Sequence, residues 1–224
     1  MTVAACILAA SPDADLRAVD GTPNVRRLVN LAWAGGALPV IVVAADPDGA
    51  IAAALAGTPA VLGAPAAVEL GPAGQMARAI ELARAEVDAT DAVLLWPARM
   101  GWLDAETVTS LIEEHGRDRE ALLRPAYRGT AGWPILVPVG YLPALRSLSP
   151  DLVPSAIAEA LAAATFSRTI ELGDPGIVLG LDTPRDALPP FEGPPEQPAG
   201  HRHEWGALVA AGPDEAPEPP ATRG

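Results

Sequence analysis

Two uninterrupted apolar runs, Val3 to Ala9 and Leu38 to Val43, flank a segment with helical periodicity, and this alternation constrains the fold more than any other feature of the chain. An apolar run of strand length with an abrupt polar stop, here Ala10-Ser11-Pro12, reads as a strand buried on both faces. The segment between the runs opens at Pro23-Asn24. It places Val25, Leu28, Val29 and Ala32 at i, i+3, i+4 and i+7, and ends at Gly35-Gly36. The same pattern then recurs. A short helix is expected over Asp46–Ala56, capped by the aspartate and closed by Gly57, and a strand over Ala60–Leu62. A helix over Gln75–Val87 turns Met76, Ile80, Ala83 and Val87 inward. A strand follows over Ala92–Leu95, and Asp104 caps a helix with Val108, Leu111 and Ile112 inside, stopped by Gly116. Strands of this kind joined by helices require parallel pairing with crossovers. The expected fold class is therefore α/β, a Rossmann-like three-layer α/β/α sandwich with a mostly parallel sheet. Ligands of such sheets bind beyond the carboxyl ends of the strands. Those ends are Ala9-Ala10-Ser11, Ala44-Ala45-Asp46 and Trp96 to Gly101.

The second half is less regular. Ala121–Pro125 and Ile135–Val137 read as short strands around a glycine-bearing turn, Arg128 to Pro134. Pro154–Ala164 reads as a helix. Ser167–Leu172 and Ile177–Leu179 read as further strands, and Asp182-Thr183-Pro184 as the start of a short helix with proline in its first turn. From Leu188 the composition shifts: nine of the 25 prolines fall in the last 36 residues, among many acidic ones. The expected division is a folded domain over 1–187 and a disordered acidic, proline-rich tail over 188–224. The tail contains one apolar patch, Trp205 to Ala211, of a kind that docks on partners, and a His201, His203, Glu204 group whose metal-like spacing is more often incidental.

With half the residues hydrophobic but only 4% aromatic, the core must be built from Ala, Val, Leu and Ile. The formal net charge of -13 repels phosphate backbones, which argues against nucleic-acid binding. All fifteen basic residues are arginine. No lysine is present to clamp a phosphate, form a Schiff base or act as a general base. The single cysteine, Cys6, excludes an internal disulfide and a thiolate metal cluster, and its apolar setting marks it as a core residue. No apolar stretch is long enough to span a membrane, and the first residues lack the charge of a signal peptide; a cytoplasmic protein without membrane association is expected.

Six segments, in order and spacing, resemble one family. They are Ile7-Leu8-Ala9-Ala10, Asp20-Gly21-Thr22-Pro23, Val40 to Asp46, Val93-Leu94-Leu95, Gly132-Trp133-Pro134-Ile135-Leu136-Val137-Pro138, and Leu181-Asp182-Thr183-Pro184-Arg185-Asp186. Together they resemble the MobA-like nucleotidyltransferases, most closely the molybdenum-cofactor cytidylyltransferase branch, over roughly residues 3 to 186. The resemblance implies transfer of a nucleoside monophosphate from a triphosphate, CTP or GTP, onto a phosphate of a molybdenum-cofactor-type acceptor, with Mg²⁺ and cationic side chains stabilising the transferring group. It also implies a protein partner such as a molybdoenzyme or its maturation factor.

Carried over residue by residue, the motifs are altered. Where the family ends its first strand in Ala-Ala-Gly, this chain has Ala9-Ala10-Ser11. Pro12 follows and removes an amide donor, and the loop Asp13-Ala14-Asp15-Leu16-Arg17 is short. Arg17 is the candidate replacement for the family's loop arginine, and nothing replaces its lysine. Arg99 falls where the family has a metal-binding aspartate, and a guanidinium repels a cation. In the late motif Gly180 takes the place of the first aspartate and Asp182 of the second. Asp182 is therefore the one candidate metal ligand, with capping of the following helix as its alternative role. The family's Gly-His-Pro has become Gly132-Trp133-Pro134. The expected binding residues are Ala9, Ala10, Ser11, Arg17, Arg99 and Trp133. Trp96, Trp102 and Trp133 are expected at the cleft, either stacking on a ring or plugging an abandoned pocket. The overall expectation is a protein that binds a nucleotide, cofactor or partner and has lost catalysis. The alternative is an active Mg²⁺-dependent cytidylyl- or guanylyltransferase with relocated ligands.

Overall fold

A computed structural model describes residues 1–193. The patch Trp205 to Ala211 and the His201, His203, Glu204 group lie outside the described residues.

Strand β1 (Val3–Ala9) runs into a single helical turn, α1 (Pro12–Asp15), where the sequence pattern suggests only loop. A small hairpin, β2 (Ala18–Val19) and β3 (Thr22–Pro23), leads to α2 (Asn24–Ala34), β4 (Val40–Ala44), α3 (Ala50–Leu55) and β5 (Ala60–Gly63). Asp46 accepts hydrogen bonds from the Ile51 and Ala52 amides, so it ties down the start of α3 from outside the helix. Helix α4 (Gly71–Glu86) starts a turn earlier than its apolar periodicity suggests, because Gly71-Pro72 makes a competent first turn. After β6 (Ala92–Pro97), the Asp104 carboxylate accepts from Glu106 N at 2.9 Å and caps α5 (Ala105–Arg117), which runs through Gly116 instead of stopping there.

The remaining elements are β7 (Leu122–Tyr127), β8 (Thr130–Ala131), β9 (Ile135–Pro138), α6 (Leu142–Arg146), α7 (Pro154–Ala164) and β10 (Ser167–Glu171). The strand expected at Ile177–Leu179 is instead the end of a tight 3₁₀ turn, Pro175–Ile177. There Asp174 draws in the Gly176 amide at 2.8 Å, and a local turn wins over sheet pairing.

The sheet has the order β10-β7-β9-β6-β1-β4-β5, with β8 paired to β7. The pairs β6–β1, β1–β4, β4–β5 and β10–β7 are parallel, whereas β9 is antiparallel to both neighbours. Parallel strands need both faces covered, and β1, β4 and β6 are buried almost throughout. Trp96 is one of the largest fully buried side chains, and its indole N–H donates to Met100 O at 2.9 Å. It belongs to the core and not to the cleft: its side chain is fully buried, and the indole is bonded into the turn that follows β6. No helix among the described residues is long and apolar enough to cross a membrane.

Candidate functional site

The carboxyl ends of β1 and β6 meet directly: Ala98 N donates to Leu8 O at 3.1 Å. Around that junction the segment 97–101 is held by bonds to nearly every carbonyl. Asn24, fully buried at the start of α2, donates its Nδ2 to Ala98 O at 2.8 Å. Arg27, one turn further on, donates to Gly101 O and lies 5.9 Å from the centre of the Trp102 ring. Met100 O takes the Trp96 indole, and Arg99 O accepts from Leu181 N at 2.8 Å. The late segment 180–183 is thereby laid against 99–101. Trp102 donates its indole N–H to Thr183 O at 2.9 Å, and Thr183 N closes a turn onto Gly180 O.

Arg17 completes the junction by donating to Leu181 O at 2.8 Å. Arg17, Arg99 and Asp182, far apart in sequence, therefore meet around Leu181. Asp182 is exposed. It does not cap the following turn, Arg185–Ala187, whose first residue is flanked by Pro184 with no side-chain cap. Arg185 forms an ion pair with Asp20 on the hairpin. Arg27 sits among these charges, and its pKa is lowered by burial first and then by the Arg185 charge, against the opposing pull of Asp20, Asp104 and Asp174.

Gly180 stands where the resemblance implies a first aspartate, and its packing requires a small residue. A Cβ there would come within 2.8 Å of Arg99 O. Gly132 is equally constrained, since a Cβ would lie 2.0 Å from Ile177 O. Beside it Trp133, 7% exposed, donates its amide to Ile177 O at 2.9 Å. Arg99, Met100, Thr130, Gly132, Trp133 and Val178 are among the residues lining an open cavity of about 180 Å³. A whole small-molecule pocket usually needs roughly 300–1,000 Å³, so this cavity is the size of a subsite within a wider cleft.

A larger depression of about 410 Å³ lies between α4 and α6, bounded by Leu70, Leu145 and Leu148. Of its charged groups, Arg78, Glu81 and Arg146 are tied up in one ion-pair group, and Glu69 is exposed. Size alone favours that depression. The exposed Arg99 beside Trp133 at the strand ends, with Arg17 bonded to Leu181 nearby, favours the smaller cavity.

The end of β1 differs from a phosphate-cradling loop in one decisive respect. Ala9 is buried, Ala10 and Ser11 are exposed, and the Ser11 amide donates to the Asp15 carboxylate at 2.9 Å. Asp15 is 2% exposed, and burial raises its pKa to about 6 against the lowering effect of the Ser11 bond. The donor that an anion would use is thus already taken by a carboxylate from the same loop. The loop's short length hints at this, but nothing in the sequence distinguishes buried Asp15 from exposed Asp13. Asn24 and Arg27 carry no motif either, and the pairing of Asp20 with Arg185, which lie in two separate motifs, is revealed only by packing.

The carboxylates around the junction are mostly engaged. Asp15 holds Ser11, Asp20 holds Arg185, Asp104 caps α5, and Asp174 accepts from Asp104 N, Thr107 Oγ1 and Gly176 N. Among the described residues no three His, Cys, Asp or Glu side chains group as a metal site. The donor set therefore does not fit a divalent cation held by the protein: the 180–183 segment offers one exposed carboxylate, Asp182, and the segment bonded to it carries the exposed cation Arg99.

The family model described as the MobA-like NTP transferase domain matches residues 13–166. No curated protein is found to match the chain. Among solved structures, a nucleotidyl transferase from Methanothermobacter thermautotroptrophicus is similar with a TM-score of 0.64 and 15% identity, over 81% of this chain and 92% of that one. A Mycobacterium tuberculosis H37Rv protein solved in complex with manganese is similar with a TM-score of 0.61 and 18% identity, over 84% and 98%. A CMP:2-keto-3-deoxy-manno-octonic acid synthetase complexed with CTP is similar with a TM-score of 0.57 and 16% identity, over 82% and 94%. At these identities the likeness concerns the fold, which is that of the nucleotidyltransferases, an α/β sandwich with a mostly parallel sheet.

Proposed function

The chain belongs to the MobA-like NTP transferase family, and from that premise we propose that it binds a nucleoside triphosphate, CTP or GTP, at the junction of β1, β6 and the 180–183 segment without catalysing its transfer. The observation that carries this reading is the meeting of Arg17, Arg99 and Leu181 beside Trp133. It offers cationic donors for phosphates and an aromatic plate for a base, while the carboxylates nearby are committed to structural bonds. A guanidinium presents five N–H donors in a fixed fork suited to phosphate oxygens. The Asp15–Ser11 bond raises the threshold for a phosphate at the end of β1, which favours binding over productive positioning. In this reading the protein serves as a nucleotide or molybdenum-cofactor-type ligand carrier, delivering to a partner such as a molybdoenzyme or its maturation factor.

The alternative is an active Mg²⁺-dependent cytidylyl- or guanylyltransferase built around Asp182, and the exposure of that carboxylate beside Arg99 is what favours it. Calorimetric titration of CTP and GTP into the wild-type protein and Trp133→Ala tests the binding reading. Loss of the aromatic plate is expected to weaken binding by about 1–3 kcal/mol. Equal affinity of the two proteins would remove Trp133 from the site. Release of pyrophosphate on mixing CTP or GTP with an acceptor and Mg²⁺, abolished in Asp182→Asn, would establish the alternative.

A further inference from the structure

Resting on the nucleotide-binding reading, we propose that the phosphates of the bound nucleotide are held by arginine side chains, with Arg99 at their centre, and without a divalent cation. The inference comes from the mismatch between this donor set and a metal. A protein-bound Mg²⁺ needs oxygen ligands in near-octahedral geometry and commonly takes one or two carboxylates together with substrate phosphates. Asp20 and Asp104 are exposed but engaged, which leaves Asp182 as the one exposed carboxylate of the 180–183 segment, and the bond from Leu181 N to Arg99 O keeps the Arg99 residue next to it. A cation held there would have one carboxylate and a guanidinium-bearing residue as its neighbours.

A second carboxylate cannot be supplied from the facing segment. Gly180 is closed to any side chain by its approach to Arg99 O, which a Cβ would meet at 2.8 Å. Asp20 is already paired with Arg185, and Asp174 is buried with three donors. Against these stand four arginines around the same two segments. Arg17 is bonded to Leu181 O, Arg27 to Gly101 O and Arg185 to Asp20, while the exposed Arg99 side chain lines the cavity beside Trp133. The first three are oriented by the bonds they make, and Arg99 is the one left facing the cavity. The same geometry that repels a metal ion attracts the anion the metal would otherwise escort.

The test is calorimetric titration of CTP and of GTP into the full chain, first in EDTA and then in excess Mg²⁺, repeated with Arg99→Ala. The Arg99 main chain makes the packing contact and its side chain is exposed, so the variant keeps the fold. The expected result is binding in EDTA that Mg²⁺ changes by less than about threefold, and a loss of about tenfold or more in Arg99→Ala. Wild-type binding that requires Mg²⁺ overturns the metal-free assignment while leaving nucleotide binding intact. An Arg99→Ala protein that binds as tightly as wild type in EDTA overturns the placing of Arg99 at the phosphates. Absence of binding by either nucleotide under both conditions overturns the nucleotide reading itself, and this inference with it.

Discussion

Asp15→Asn isolates the cost of the carboxylate buried at the end of β1. The side chain is 2% exposed, and its pKa rises from an ordinary 3.8 to about 6, chiefly because burial disfavours the charged form. A folded state that holds the proton more tightly than the unfolded chain is favoured at low pH. Its stability falls as pH rises from 3.8 through about 6, and above that the full cost of the buried charge is present. Two pK units correspond to about 3 kcal/mol, and solvent screening of a side chain at the rim of the fold brings the expected figure to about 1–2 kcal/mol. Asparagine keeps an oxygen acceptor for the Ser11 amide, now at 2.9 Å from the carboxylate, and carries no charge at any pH. Urea unfolding of both proteins should therefore show the variant more stable by about 1–2 kcal/mol above pH ~7, with the difference fading towards pH ~4. A constant difference across that range would mean that the charge of Asp15 is not what burial opposes. A variant less stable at neutral pH would mean that the anion is satisfied by a group beyond Ser11.

Two further outcomes follow from buried polar groups away from the cleft. Asp174→Ala leaves the Asp104 amide, the Thr107 hydroxyl and the Gly176 amide without their acceptor, and should cost about 3 kcal/mol in chemical denaturation, whereas Asp174→Asn should cost less. His115 is fully buried with both ring nitrogens unpartnered, and burial lowers its pKa against the pull of Asp91. The unfolded chain then takes up the proton first, so stability is lost as pH falls below the ordinary histidine value of 6.5. His115→Leu should flatten that part of the stability profile, and an unchanged profile would show that the imidazole is protonated in the fold.

The layers of the fold were legible because apolar periodicity is a direct record of burial. β1, β5, α7 and the core of α2 emerge from runs and spacings alone. Boundaries failed where local chemistry overrides periodicity. The Gly71-Pro72 start of α4 and the Asp174 turn that replaces an expected strand are both decided by side-chain and turn geometry. His115, in the last turn of α5, is fully buried, which nothing in its sequence position shows. Of the candidate residues that motif order offered, Arg17, Arg99, Asp182 and Trp133 are brought by the fold to one end of the sheet. The supporting residues were invisible because their roles arise from contacts across 70 or more positions, as in Asn24 to Ala98 and Arg27 to Gly101. Trp96 shows the opposite error: adjacency in sequence to the strand end suggested the cleft, while both faces of β6 are covered and its side chain is fully buried.

The central claim is that nucleotide binds where β1, β6 and the late segment converge. Backbone amide chemical-shift mapping by nuclear magnetic resonance during titration with CTP tests it most directly. The shifted amides are expected to cluster at Arg99, Gly101, Trp133, Leu181 and Asp182. Shifts confined to Leu70, Arg78, Leu145 and Leu148, around the depression between α4 and α6, would place the ligand elsewhere and contradict it.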